Sequence, residues 1–171
     1  MGIELDRARI AEVVTAVADE LTGDFLLVGG ALVALWLDPR RMSEDIDIIG
    51  FEGESRERFA LMELAQRHGL PIEAVNSAAD FFVFRIADWR EQVEVLQAGA
   101  RGRVFRPTPT LFLLLKVGRL SETDLDDCVS LLRHAQEGVD VARVLDALRE
   151  GDDDGRSRRI EALREALSRR K

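Results

Sequence analysis

Val28-Gly29-Gly30-Ala31-Leu32, followed by Arg40-Arg41-Met42-Ser43-Glu44-Asp45-Ile46-Asp47-Ile48, is the stretch whose reading decides the fold. A short apolar run enters two glycines and a helical segment, and a second strand then carries two acids one residue apart. On a strand, residues i and i+2 point to the same face, ~7 Å apart. Asp45 and Asp47 are therefore expected to converge on one side while Ile46 and Ile48 enter the core. Two carboxylates on a rigid strand suit Mg²⁺, which keeps coordination positions for water and phosphate oxygens. Gly29 and Gly30 let the backbone approach a phosphate closely, and the helix they open presents unpaired N–H groups to it.

These residues resemble the nucleotidyltransferase (polymerase-β-like) superfamily. Its signature is a hydrophobic residue, Gly, Gly or Ser, a helical spacer, and Asp-hydrophobic-Asp/Glu-hydrophobic. Here it reads Val28-Gly29-Gly30, fourteen intervening residues, then Asp45-Ile46-Asp47-Ile48. The added Arg41-x-Ser43-x-Asp45 pattern is most similar to the small bacterial branch containing AbiEii-type toxins. Many members carry a phosphate-binding Ser where this chain has Gly30, so backbone N–H groups alone remain there. The resemblance is specific over residues 25–50, extends to about residue 132, and goes no further.

Composition narrows the classes of function. A chain of 171 residues suits one domain with a helical extension, and 46% hydrophobic with 33% charged residues is ordinary for a globular protein. No stretch reaches the ~20 apolar residues of a membrane span, and the amino terminus lacks the apolar run of a signal peptide. A cytoplasmic location without membrane attachment is the expectation. Cys128 is the single cysteine and stands at helical spacing from Leu125 and Leu132, which reads as a buried core thiol. A net charge of −8 argues against a general nucleic-acid coat. Local basic clusters at Arg101, Arg103 and Arg106, and at the carboxyl end from Arg156 to Lys171, could seat a polyanion; the alternative is a solvated face with Glu161 and Glu165 opposing arginines.

Periodicity places helices at residues 4–22, 31–37 and 55–68, and strands at 25–28 and 45–50. Three β-rich pieces follow at 72–75, 81–86 and 92–96, with another strand near 103–106. After Pro107 and Pro109 the chain reads as helical over 110–119, 123–134, 139–150 and 155–170. The expected fold is α+β: a nucleotidyltransferase-like mixed sheet flanked by helices, with a C-terminal helical layer. Residues 1–108 form the expected α/β core with its amino-terminal helix. Residues 109–171 form a helical region expected to pack on that core, and Asp152-Asp153-Asp154-Gly155 is the best linker candidate.

Asp45 and Asp47 are the expected metal ligands. The superfamily normally adds a third acid from a neighbouring strand, and Glu94 in Val93-Glu94-Val95-Leu96 is the choice, with Asp88 next and an exposed strand residue as the plain alternative. Ser43 either bonds the strand entry as a turn residue or touches a phosphate, and Arg41 either pairs with Asp45 or contacts the nucleotide. Lys116 is one of only two lysines against twenty-two arginines and lies in apolar Leu113-Leu114-Leu115-Lys116-Val117, where an unpartnered charge is costly. The resemblance implies that this lysine reaches the triphosphate with Arg119 as helper; a snorkelling stem is the alternative. Thr123 with Asp126 reads as a helix cap, while Asp127 either joins that first turn or orients Lys116. His68 and His134 have no companions at zinc-ligand spacing.

The resemblance implies a Mg²⁺-dependent enzyme. Asp45, Asp47 and Glu94 would hold two ions, while Gly29, Gly30, Arg41, Ser43, Lys116 and Arg119 would hold an NTP. The NMP would pass to a hydroxyl of a tRNA 3′ end or a protein, in a toxin–antitoxin setting with a cognate antitoxin as partner. A small-molecule acceptor of the antibiotic type is the second enzyme reading. A catalytically weak, partner-binding relative is the third.

Overall fold

The computed structural model describes residues 4–135, 137–149 and 156–169. The chain divides into two compact units, Met1–Pro107 and Thr108–Lys171. In the first, α1 (Arg7–Glu20) begins at Asp6, whose carboxylate accepts from Arg9 N–H at 2.8 Å. Its apolar stripe, Ile10, Val13, Val14 and Val17, is buried, which is the helical period read from the sequence.

The central strand β1 (Gly23–Val28) turns directly into α2 (Gly29–Trp36), and the chain returns as β2 (Ile46–Gly50). β1 lies antiparallel to β2 and parallel to β5 (Gly102–Pro107). The edges are β3 (Val75–Asn76), parallel to β2, and β4 (Val93–Ala98), antiparallel to β5. The order β3-β2-β1-β5-β4 makes a five-stranded mixed sheet, and the fold is α+β. Phe25 to Val28, Ile46, Ile48 and Ile49 are all buried, so both faces of the central strands are covered. α1 packs on α2, β4 and β5, while α2 packs on β1 and β2. α3 (Ser55–Arg67) lies beside β2 and β3.

Two expected strands are corrected. Residues 72–75 start as a 3₁₀ turn (Ile72–Ala74) after Pro71, leaving only Val75 and Asn76 in the ladder. Residues 81–86 are not a strand: Asp80–Val83 form a single helical turn, α4. Local turn chemistry wins there over β-propensity. Asn76 Oδ1 accepts from Ala78 N at 2.7 Å, Asp80 N bonds Ser77 O, and Asp80 pairs with Arg58 of α3. Val83 enters the core, while Phe81 and Phe82 meet edge to face on the surface with Arg85 over Phe81.

The second unit is helical: α5 (Pro109–Val117), α6 (Glu122–His134), α7 (Val141–Arg149) and α8 (Ser157–Ser168). Thr108 caps α5, with Pro109 in its first turn, where the missing N–H costs nothing. α6 is capped by Ser121 and Asp124 in a reciprocal box, two residues earlier than the Thr123–Asp126 arrangement expected. Leu111, Leu113, Leu131, Val144, Ile160 and Leu163 are fully buried. The proposed linker at Asp152–Gly155 lies outside the described residues. Among the described residues no helix is long and apolar enough to cross a membrane.

Candidate active site

The strand–glycine–helix unit and the acidic strand meet as the sequence pattern requires. Val28 is the register partner of Asp47, so the end of β1 and the start of α2 face the beginning of β2. Gly29 sits at φ +71°, and a Cβ there would stand 2.2 Å from Asp47 Oδ2. That space and that backbone angle admit only glycine. A Cβ on Gly30 would stand 2.9 Å from Ser43 Oγ, so the second glycine makes room for the serine hydroxyl. Ser43 is buried and donates to the carbonyl oxygen of Asp45 at 2.8 Å, which places it as the expected strand-entry residue. Val28, the residue before α2, makes no side-chain cap bond to the helix start.

Ile46 and Ile48 are fully buried while Asp45 and Asp47 are half-buried, as the alternation predicts. Asp45 stands one residue ahead of the strand, at a bend. Its Oδ2 accepts from Asn76 Nδ2 at 3.2 Å, and Asn76 is the register partner of Asp47 on the neighbouring strand. Partners in register share a face of the sheet, so Asp45, Asp47 and Asn76 gather on one side. Asn76 escaped sequence reading: a lone Asn before Ser77 reads as a turn, and only strand pairing brings it to the acids. Asp45 Oδ1 accepts no hydrogen bond among the described residues.

Arg41 makes no ion pair with Asp45 among the described residues, and its charge acts on Asp38. Its Nε is buried without a hydrogen-bond partner, a cost that an anionic ligand would remove.

Glu94 does not join this group. It pairs with Arg106 across β4 and β5, both by register and by a salt bridge, and is half exposed. Asp47 shares its face with Ile49, which is registered to Leu26, which is registered to Phe105. Arg106 and Glu94 follow on the opposite face. β4 is also three strands from β2, roughly 14 Å at ~4.8 Å per strand. Among the described residues no three His, Cys, Asp or Glu side chains gather as a ready metal cage. A pair of carboxylates still fits Mg²⁺, because that ion is commonly held by one or two carboxylates and completed by substrate phosphates and water.

The arginines near β5 do not form one basic rim. Arg103 pairs with Asp24 at 2.7 Å and Arg101 bonds Thr22 at 3.1 Å, both at the Gly23 end of β1 and away from Gly29. Arg106 is stacked over Trp36 and paired with Glu94. Within the second unit, Arg159 donates to Leu120 O at 2.6 Å and pairs with Glu122, while Arg169 pairs with Glu165. These two arginines of the carboxyl-terminal cluster are therefore engaged within the unit.

Lys116 and Arg119 belong to the second unit, where Lys116 does not snorkel. Its Nζ donates to Asp127 at 2.9 Å and Asp124 at 3.1 Å. Arg119 grips the same Asp124 with two bonds, at 2.7 and 2.9 Å. Burial pushes the Lys116 pKa down, but the bonds and charges of Asp127 and Asp124 outweigh it and the net shift is upward. Burial pushes Asp124 up, but Arg119, Lys116 and Ser121 together hold it well below the usual carboxylate range. Asp127 thus orients Lys116 rather than capping the helix. Cys128 is fully buried beside them, and burial pushes its thiol up to about 12, as suits a core thiol.

A strand, a Gly-Gly turn into a helix, and an Asp-x-Asp strand whose second acid packs beneath that turn define the class of fold and site. The model of the family described as "Nucleotidyl transferase AbiEii toxin, Type IV TA system" matches residues 13–108, more than half of the chain, and the chain belongs to that family. The match spans Gly29, Gly30, Ser43, Asp45, Asp47 and Asn76. No curated relative and no solved structure matches the chain.

Proposed function

We propose that this chain is a metal-dependent nucleotidyltransferase toxin that transfers an NMP from an NTP to a hydroxyl of a tRNA 3′ end or a protein, held in check by a cognate antitoxin. The observation that carries the reading is the fit of Gly29 against Asp47 and of Gly30 against Ser43, inside the span of the family match. Gly29 leaves room for Asp47 and Gly30 for Ser43, which supports reading the turn and the acidic strand as one site.

Asp45 and Asp47 hold the Mg²⁺ ions in this reading, with Asp45 Oδ1 the atom left for coordination. When bound, these ions neutralise phosphate charge and stabilise the entering and leaving oxygens. The backbone N–H groups of Gly29, Gly30 and the first turn of α2 receive the β- and γ-phosphates. Arg41 donates its orphaned Nε to a phosphate oxygen. The acceptor oxygen bonds to the α-phosphorus in line as the bond to the bridging oxygen breaks, pyrophosphate leaves, and the hydroxyl proton passes to solvent.

The pairing of Arg103 with Asp24 and of Arg106 with Glu94 engages two arginines of the cluster that pointed to a polyanion. The test therefore scores all acceptor classes. Incubation with α-labelled NTPs and Mg²⁺ against total RNA, total protein and an aminoglycoside should label a macromolecular pool. The Asp45→Asn/Asp47→Asn variant should label none, and undiminished labelling by it would refute the site.

A further inference from the structure

We infer that Asn76 is a positioning residue that fixes the carboxylate of Asp45 for ligand binding, an inference that rests on the metal-site reading of Asp45 and Asp47. Asp45 precedes the first residue of β2, so the ladder does not restrain it as it restrains Asp47. Among the described residues its carboxylate accepts from one donor, Asn76 Nδ2, at 3.2 Å from Oδ2.

The orientation of that donor is forced by its other end. Asn76 Oδ1 accepts from Ala78 N at 2.7 Å, and only oxygen can accept there. The nitrogen must therefore face Asp45. The backbone of Asn76 is in turn held by β3, where Val75 and Asn76 pair with Ile46 and Asp47. A rigid chain of contacts thus runs from the ladder through the Asn76 amide to one oxygen of Asp45, leaving the other for a ligand.

The choice of an amide has an electrostatic reason. Asn76 stands on the same face as Asp47 and touches Asp45, so a carboxylate here would put a third negative charge against the pair. An amide supplies a hydrogen bond to Asp45 without adding charge. Groups that orient a metal ligand in this way typically contribute 10–100-fold to metal affinity.

Mn²⁺ alone is the probe, titrated into the full chain with free ion followed by electron paramagnetic resonance. Wild type should bind Mn²⁺, and Asp45→Asn/Asp47→Asn should not. Asn76→Ala should bind about tenfold more weakly. Because Ala also removes the acceptor for Ala78 N–H, Asn76→Ser is the companion variant: its hydroxyl can serve that turn but is too short to reach Asp45. Folded Asn76→Ser should show the same weakening as Asn76→Ala. Wild-type affinity in Asn76→Ser, with Asp45→Asn/Asp47→Asn still defective, would overturn the inference and leave the metal site standing. Equal affinity of wild type and Asp45→Asn/Asp47→Asn would overturn the metal-site reading itself, and this inference with it.

Discussion

Replacing Lys116 with Met keeps the length and apolar stem of the side chain and removes the cation that Asp124 and Asp127 share. The side chains are 12%, 1% and 4% exposed for Lys116, Asp124 and Asp127, so solvent cannot take over. Removing one partner of a buried ion pair costs about 3–5 kcal/mol, because a charge is left without compensation. Here the lower end applies. Asp124 keeps both Arg119 bonds and its Ser121 contacts, so Asp127 is the acid left without its cation. A loss of about 3 kcal/mol at neutral pH is expected, which for a chain of this size lowers Tm by roughly 6–12 °C. Urea unfolding followed by circular dichroism measures it directly.

The pH dependence of that loss is an independent check. Lys116 is shifted upward, so its contribution is complete below the unfolded value of ~10.4 and disappears as pH rises through the folded value. Asp124 is shifted downward, so its contribution is present above ~3.9 and disappears as pH falls through the folded value. The stability gap between wild type and Lys116→Met should be flat across neutral pH and close at both extremes. Adding Asp127→Asn should recover part of the loss. A gap below about 1 kcal/mol at neutral pH, the scale of an exposed pair, would refute the claim that these charges depend on one another.

Gly29→Ala should cost about 1–2 kcal/mol from its left-handed backbone alone, and should weaken Mn²⁺ binding as Asp47 is pushed aside; unchanged affinity would detach the glycine from the acid site. Glu94→Gln should leave Mn²⁺ affinity at the wild-type level and cost under about 1 kcal/mol, since the Arg106 pair is half exposed; loss of binding would return Glu94 to the metal site. Cys128 should resist thiol reagents in the native protein and react once urea is added, and rapid native labelling would contradict its burial and raised pKa.

Much of the fold was legible because its signals are local. The stripe Ile10, Val13, Val14 and Val17 needs only the helical period, and Ile46 with Ile48 only the strand alternation. The Phe81–Ile86 segment was misread for a matching reason. Apolar content without a clear period does not separate a strand from a single helical turn, and the deciding bonds at Asn76, Ser77 and Asp80 are turn chemistry outside the segment's pattern. The α6 cap shifted because Ser121 and Thr123 both precede an acid by three residues, and only the backbone geometry chooses between them.

Spacing alone was enough to bring a Gly-Gly turn and an Asp-x-Asp strand together, because a strand–helix–strand unit leaves little freedom in how they return to each other. The sequence also determined that Lys116, an isolated cation in an apolar helix, needs a partner. Tertiary structure alone decided which acids those partners are, and that Glu94 faces away from the acid pair while Asn76 touches it. The physical reason is strand order and register. Val93-Glu94-Val95 carries the same one-acid pattern wherever its strand is placed, but its side chain meets Asp47 only if β4 lies beside β2 in the right phase. In this sheet β4 closes the far edge beside β5, and the two-residue β3 brings an amide to Asp45 instead.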